Sequence, residues 1–271
     1  MSTAFYPPSG RISRVTVGDG YGQMLVDAFA AGPRRGSHRQ VIERSDGYVS
    51  VEDAYRYFSH YEEWVEAEQV AMTKLRGRIL DVGCAAGRHM LEARQRGHTD
   101  IIGIDPSAGA VDVACAQGLD VRLGSVQEPG DDLGTFDTIL LLGGNLGLLG
   151  SLDTASAVLR SLARVARPGA QILANGHDPY TQAEEHSSYH AENRRAGRLP
   201  GQVLMRVRYG SLASDWFGRL MLSATELHTL LESSPWKLRS AGSYGPTGFY
   251  LAHLELRDET PDQDGSPELP A

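Results

Sequence analysis

From Arg78 onward, short apolar runs alternate with amphipathic stretches. Ile79-Leu80-Asp81-Val82 is an apolar run closed by glycine, and Arg88 to Arg96 follows it with helical spacing. Ile101 to Asp105 is a second run, and Ala108 to Gln117 a second helix stopped at Gly118. Val121-Arg122-Leu123 and the continuous run Phe136 to Leu142 add two strands; an apolar strand without alternation suits a sheet covered on both faces. Thr154 to Ala166 turns Ala157, Leu159, Leu162 and Val165 inward and meets Pro168-Gly169, so it reads as a helix. Ala170 to Ala174 is the fifth strand. This alternation predicts an α/β fold, a doubly wound parallel sheet with right-handed crossovers.

The rhythm then breaks until Ser223. Within the break, Val203, Met205, Val207 and Tyr209 alternate with Gln202, Leu204, Arg206 and Arg208, which predicts a hairpin with Trp216 to Leu222. Ser223-Ala224-Thr225-Glu226 is a capping box for a helix reaching Ser233, and Trp236–Ser240 and Phe249–Leu256 close the chain as strands. Upstream, Ala54, Tyr57, Phe58, Tyr61, Trp64, Val65 and Glu68 recur at helical spacing, predicting a helix over 51–75 opposite Glu62, Glu63 and Glu66. Residues 1–50 read as an irregular arm with one short helix, Gln23 to Ala30. The expected organisation is an arm and covering helix (1–75), a main domain (76–256) with an inserted lid (177–222), and a tail (257–271).

Composition narrows the function. The chain has 271 residues, 41% hydrophobic and 22% charged, as in a water-soluble globular protein. It lacks the run of about 18 apolar residues that a spanning helix needs, and Met1 to Pro8 lacks a secretory layout. The two cysteines, Cys84 and Cys115, form no metal or disulfide pattern, so a cytoplasmic location is expected. A net charge of −8 argues against nucleic acid as partner. Residues 191–210 nonetheless hold five arginines against one glutamate, while Asp258 to Ala271 holds five acids, no base and three prolines, and reads as disordered.

The chemistry centres on Asp81-Val82-Gly83-Cys84-Ala85-Ala86-Gly87-Arg88. A tight strand-to-helix turn needs glycine where a Cβ would clash with chain or ligand, and the helix beyond offers free N–H groups. Ligands of open α/β sheets bind outside the carboxyl ends of the strands. Asp105 ends the second strand, where a carboxylate can accept both hydroxyls of a ribose. The spacing G-x-A-x-G differs from the G-x-G-x-x-G of a nicotinamide dinucleotide site, which is the rival reading.

At these residues the chain resembles the class I S-adenosylmethionine (SAM)-dependent methyltransferases. Ile79 to Cys84 is similar to that family's first motif, Ile104-Asp105-Pro106-Ser107 to its second, Phe136 to Ile139 to its fourth-strand motif, and Leu162 to Gly169 to the helix and turn before strand five. The resemblance implies a Rossmann-like seven-stranded sheet with strand seven antiparallel between five and six. It implies SAM held by Asp81, Gly83, Cys84, Ala85, Gly87, Asp105, Pro106, Ser107, Gly143 and Gly144. Ser125, Val126 and Gln127 stand where the family places its adenine contacts. Ala85 replaces a frequent glycine, and the usual acid after strand three is absent.

Methyl transfer asks mainly for alignment and exclusion of water, and a hydroxyl or ammonium acceptor also needs a base. The loops after strands four and five should face the methyl group. His177, His186 and His190 are the candidate bases. Tyr57, Tyr61, Asn145, Tyr180, Arg206, Arg208 and Trp216 are candidate acceptor contacts, the arginines for an anionic group. Asp178 with His186 and His190 is a weaker metal reading, and no metal is expected. The expected function is methyl transfer to an oxygen or nitrogen of a small molecule. A peptide acceptor and a non-catalytic SAM-binding regulator are the alternatives. The oligomeric state, monomer or homodimer, stays open.

Overall fold

The computed structural model describes residues 15–181, 184–244 and 248–258. Met1 to Pro8 and the acidic tail beyond Asp258 lie outside the described residues. The arm is more regular than its composition suggests: β1 (Thr16–Val17), α1 (Gly20–Ala30), β2 (Arg39–Arg44) and β3 (Val49–Asp53). The expected helix over 51–75 is not continuous. Its first residues belong to β3, then come 3-10 turns at Ala54–Tyr57 and Tyr61–Glu63, and only Glu66–Met72 is an α-helix, α2. Pairing of β3 with β2 overrides local helical spacing, and extended backbone at Trp64 and Val65 separates the last turn from α2.

The main domain follows the expected order: β4 (Ile79–Val82), α3 (Arg88–Gln95), β5 (Ile101–Asp105), α4 (Ala108–Ala116), β6 (Val121–Leu123), β7 (Phe136–Leu141), α5 (Leu152–Arg164) and β8 (Ala166–His177). The insertion holds α6 (Ser187–Arg195), β9 (Gln202–Tyr209), β10 (Leu212–Ala213) and β11 (Phe217–Leu220). Then come α7 (Ala224–Leu231), β12 (Trp236–Ser243) and β13 (Phe249–Leu256). The seven-stranded sheet runs β12-β13-β8-β7-β4-β5-β6, with β13 antiparallel to both neighbours and β4 to β8 parallel. Successive strand residues point to opposite faces. Leu80, Ile139 and Ile172 therefore pack with Leu159 and Leu162 of α5, while Ile79, Leu140 and Leu173 pack with Ala67 and Ala71 of α2 and Met90 of α3.

A second sheet stands over the carboxyl edge of the first. It runs β1-β10-β9-β2-β3, with β11 also on β9. Ile42 of the arm faces Val207 of the insertion, so arm and lid are one sheet. The expected β9–β11 hairpin is present, with Met205 opposite Phe217 and Val203 opposite Arg219. Helix α1 joins the two layers. Asp19 caps it through Gly22 N (2.7 Å) and accepts from the Ser107 hydroxyl at the head of α4 (2.7 Å). Gly109 lets the helices touch there, since a Cβ on it would lie 2.5 Å from the Gly22 backbone.

Candidate active site

Strand β4 ends in a turn whose backbone enters the left-handed region at Gly83, Ala85 and Gly87 (φ 71°, 54° and 84°). Ala85 is the one non-glycine residue with positive φ among the described residues, and its methyl group costs this turn some strain. What holds it is Asp105: Oδ2 accepts from Ala85 N and Oδ1 from Ser107 N, each at 2.9 Å. Each oxygen keeps a further lone pair for a ligand. Burial pushes the Asp105 carboxyl up to about 6, against these two backbone hydrogen bonds. Asp81 is 1% exposed and its Oδ2 has no hydrogen-bond partner; burial pushes this carboxyl up to about 7, opposed by Arg88. An unpaired buried carboxylate oxygen beside a strained turn invites a donor or cation.

The loop after β7 supports the turn from the other side. Asn145 Nδ2 donates to the carbonyls of Val82 (3.1 Å) and Gly83 (3.0 Å), and a Cβ on Gly83 would lie 2.6 Å from that nitrogen. Gly144 N donates to Asn175 Oδ1 on β8 (3.0 Å). Arg219 of β11 reaches down from the lid and donates to the Gly144 carbonyl. Arg88, at the start of α3, pairs with the buried Glu68 (2.7 Å) and lies over the Trp64 ring.

The cover is aromatic and carboxylate-bearing. The rings of Tyr21 (α1) and Tyr57 meet edge to face at 5.2 Å. Burial drives the Tyr21 phenol well up, reinforced by Tyr57, Asp105 and Glu52, and Tyr21 packs against the apolar cluster that includes Ala86 of the turn. Glu52 of β3 accepts from Tyr57 OH (3.0 Å), Gln40 Nε2 (3.1 Å) and Arg56 Nη1 (2.6 Å). Gln40, Glu52, Val203, Val207 and Arg219 share the inner face of the lid sheet by register.

Other residues expected from the sequence fall in several places. Pro106 and Ser107 sit beside Asp105, and Ser107 also caps α4. Cys84 is buried, and burial drives its thiol well up, away from nucleophilic use. Ser125, Val126 and Gln127 follow β6 next to Asp105: Ser125 Oγ accepts from Glu128 N, Val126 is buried and Gln127 exposed. Tyr61 lies under Arg96 and against Trp64, in the packing of α2 and α3. Tyr180 donates to Glu226 (2.6 Å). Arg206 and Arg208 lie on the outer face of β9, paired with Glu43 at 2.8 and 3.5 Å, and Arg206 covers the exposed Trp216. His186 and His190 meet each other (6.2 Å between rings) and the lid residues Arg44, Tyr48 and Tyr180. Burial, with His186, Arg194 and Arg44, lowers the His190 imidazole. His177 ends β8 against Phe249, on the side of that strand that Asn175 also faces. Among the described residues no group of three or more His, Cys, Asp or Glu could hold a metal ion, and no helix is long and apolar enough to cross a membrane.

Sequence reasoning missed Asp19, Tyr21, Gln40, Glu52 and Arg219. Tyr21 follows the Asp19 cap at a helix start, which is a local signal; the others depend on register between distant strands.

Comparison with known proteins agrees with this fold. Residues 79–169 match the family model for a methyltransferase domain. No curated protein matches the chain. Among solved structures, a SAM-dependent methyltransferase from Bacteroides fragilis, in complex with S-adenosyl-L-homocysteine, is similar at TM-score 0.74 and 23% identity, over 89% of this chain and 95% of that one. A SAM-dependent methyltransferase from Methanosarcina mazei (TM-score 0.54, 17% identity, 69% of this chain and 96% of that one) is similar too. So is the CcbJ methyltransferase from Streptomyces caelestis (0.54, 13%, 73% and 95%). At these identities the likeness establishes the Rossmann-like methyltransferase fold.

Proposed function

We propose that this chain, which carries a methyltransferase domain over residues 79–169, uses SAM to methylate an oxygen or nitrogen of a small molecule. The observation that carries the reading is the Asp105 carboxylate, fixed by Ala85 and Ser107 N–H groups beside the Gly83–Gly87 turn. The residues fit the cofactor. Asp105 keeps acceptor capacity for the ribose hydroxyls, Asp81 has an unpartnered oxygen for a cationic or N–H group, and glycine at 83 admits the Asn145 amide that holds the turn in place. Ser125, Val126 and Gln127 take the adenine side. Once bound, SAM supplies an electrophilic methyl group on a sulfonium.

The chain's own contribution is placement and exclusion of water. Tyr21 and Tyr57 cover the turn, and the Gly143-Gly144-Asn145 loop is braced by Asn175 and Arg219. In this reading His177 is the base, since it continues beyond Asn175 on the side of β8 that touches Gly144. Titration calorimetry with SAM, NAD and NADP tests the proposal. Binding of SAM alone supports it, and binding of a nicotinamide nucleotide instead overturns it.

A further inference from the structure

The arginines around the cleft differ in one respect. Arg88 has Glu68 at 2.7 Å and Arg56 has Glu52 at 2.6 Å. Arg219 is drawn into the cleft as well, yet it donates to a neutral carbonyl, Gly144 O, and among the described residues no carboxylate lies within 4.0 Å of it. A guanidinium carries five N–H donors and a permanent charge, so most of its capacity points at something else. Burial lowers this guanidinium against the charge of Glu52, which shares the inner face of the lid sheet with Arg219 without pairing with it.

The loop beneath is shaped around this side chain. A Cβ on Gly147 would lie 2.9 Å from Arg219 Nε, and one on Gly144 3.6 Å from Nη2. The missing side chain at Gly147 lets the guanidinium come close to the loop after β7. The arginines that the sequence offered for an anion, Arg206 and Arg208, lie on the other face of β9, where they share the single carboxylate of Glu43. Phe217 stands two residues from Arg219 on the same face of β11, giving an apolar wall beside the charge.

We propose that Arg219 is the seat of a carboxylate on the methyl acceptor, so that the acceptor is a small organic acid with an apolar portion. The proposal rests on the methyltransferase reading above. A carboxylate in this cleft has two sources, the acceptor and the methionine end of the cofactor. The acceptor is favoured because Arg219 is carried by β11 of the lid beside Phe217, an apolar neighbour suited to an organic acid rather than to the methionine end of the cofactor.

The test uses the full chain, unchanged and as R219Q and R219K. Calorimetry with S-adenosylhomocysteine comes first; no binding by the unchanged protein would sink the cofactor reading, and the acceptor assignment with it. The loaded protein is then titrated with benzoate and its neutral analogue benzamide, followed by ligand-observed NMR. We expect benzoate to bind at least tenfold more tightly than benzamide, R219Q to abolish that preference and R219K to keep part of it. Equal binding of benzoate and benzamide overturns the proposal, and so does a preference that survives R219Q. A tenfold loss of S-adenosylhomocysteine in R219Q, with benzoate unaffected, assigns the carboxylate to the cofactor instead. If R219Q fails to fold, the benzoate–benzamide comparison on the unchanged protein and R219K decides.

Discussion

At Asp81 an acid with an ordinary value of 3.8 is held at about 7 by burial. The folded chain therefore binds this proton more tightly than the unfolded chain does. The associated stability is complete below about pH 4 and drains away as pH rises towards 7. Asp81→Asn should accordingly raise the melting temperature more at pH 8 than at pH 5, read by calorimetric scans of the cofactor-free protein. A cation bound beside Asp81 favours the ionised form, so SAM affinity should rise between pH 6 and 8 and binding should release a proton. A binding enthalpy that does not vary with the ionisation enthalpy of the buffer would contradict this. Asp105→Ala should weaken SAM more than tenfold by removing charge-assisted hydrogen bonds, again by calorimetry. Asp81 and Asp105 were legible in the sequence because a motif fixes them next to glycine. Arg219 was not: alternation sorts the residues of β9 and β11 into two faces, but only pairing with the rest of the sheet says which face looks inward.

The elements divide along the same line. Strands β4 to β8 and the helices between them follow from apolar runs and stop signals, because each element's own residues specify it. The Ser223 capping box is present as expected, and Ser223→Ala should cost about 1 kcal/mol in denaturant unfolding. Strands β2 and β3 are half polar, with Val49 and Val51 exposed, so their strand character comes from partners rather than from periodicity. The aromatic spacing in 51–75 is genuine, yet two short turns and a short helix satisfy it as well as one long helix. Contact between α1 and α4 depends on the absence of a side chain at Gly109. Gly109→Val should force the helices apart at a cost of about 1–3 kcal/mol. It should also weaken SAM, since α1 carries Tyr21; unchanged affinity would mean that Tyr21 does not cover the cofactor.

For the molecule as a whole, the lid is a joint product of the arm and the insertion, which the expected division into 1–75 and 177–222 kept apart. Hydrogen exchange should therefore show β2 and β9 opening together, with amides of Glu43 and Arg206 exchanging at similar rates. A chain shortened to begin at residue 54 keeps the entire family-matched segment 79–169 but loses Tyr21, Gln40 and Glu52. It should bind SAM poorly despite an intact glycine turn. The pairing of Ile42 with Val207 also has a consequence during synthesis. Translation at roughly 5–20 residues per second leaves the β2–β3 hairpin on the ribosome for about 8–30 seconds before β9 exists. Throughout that interval one edge of the hairpin has no native partner and can pair with any strand nearby. Slowing translation or cooling the cell should therefore alter the yield of folded protein through the arm, at the opposite end of the chain from the segment it awaits.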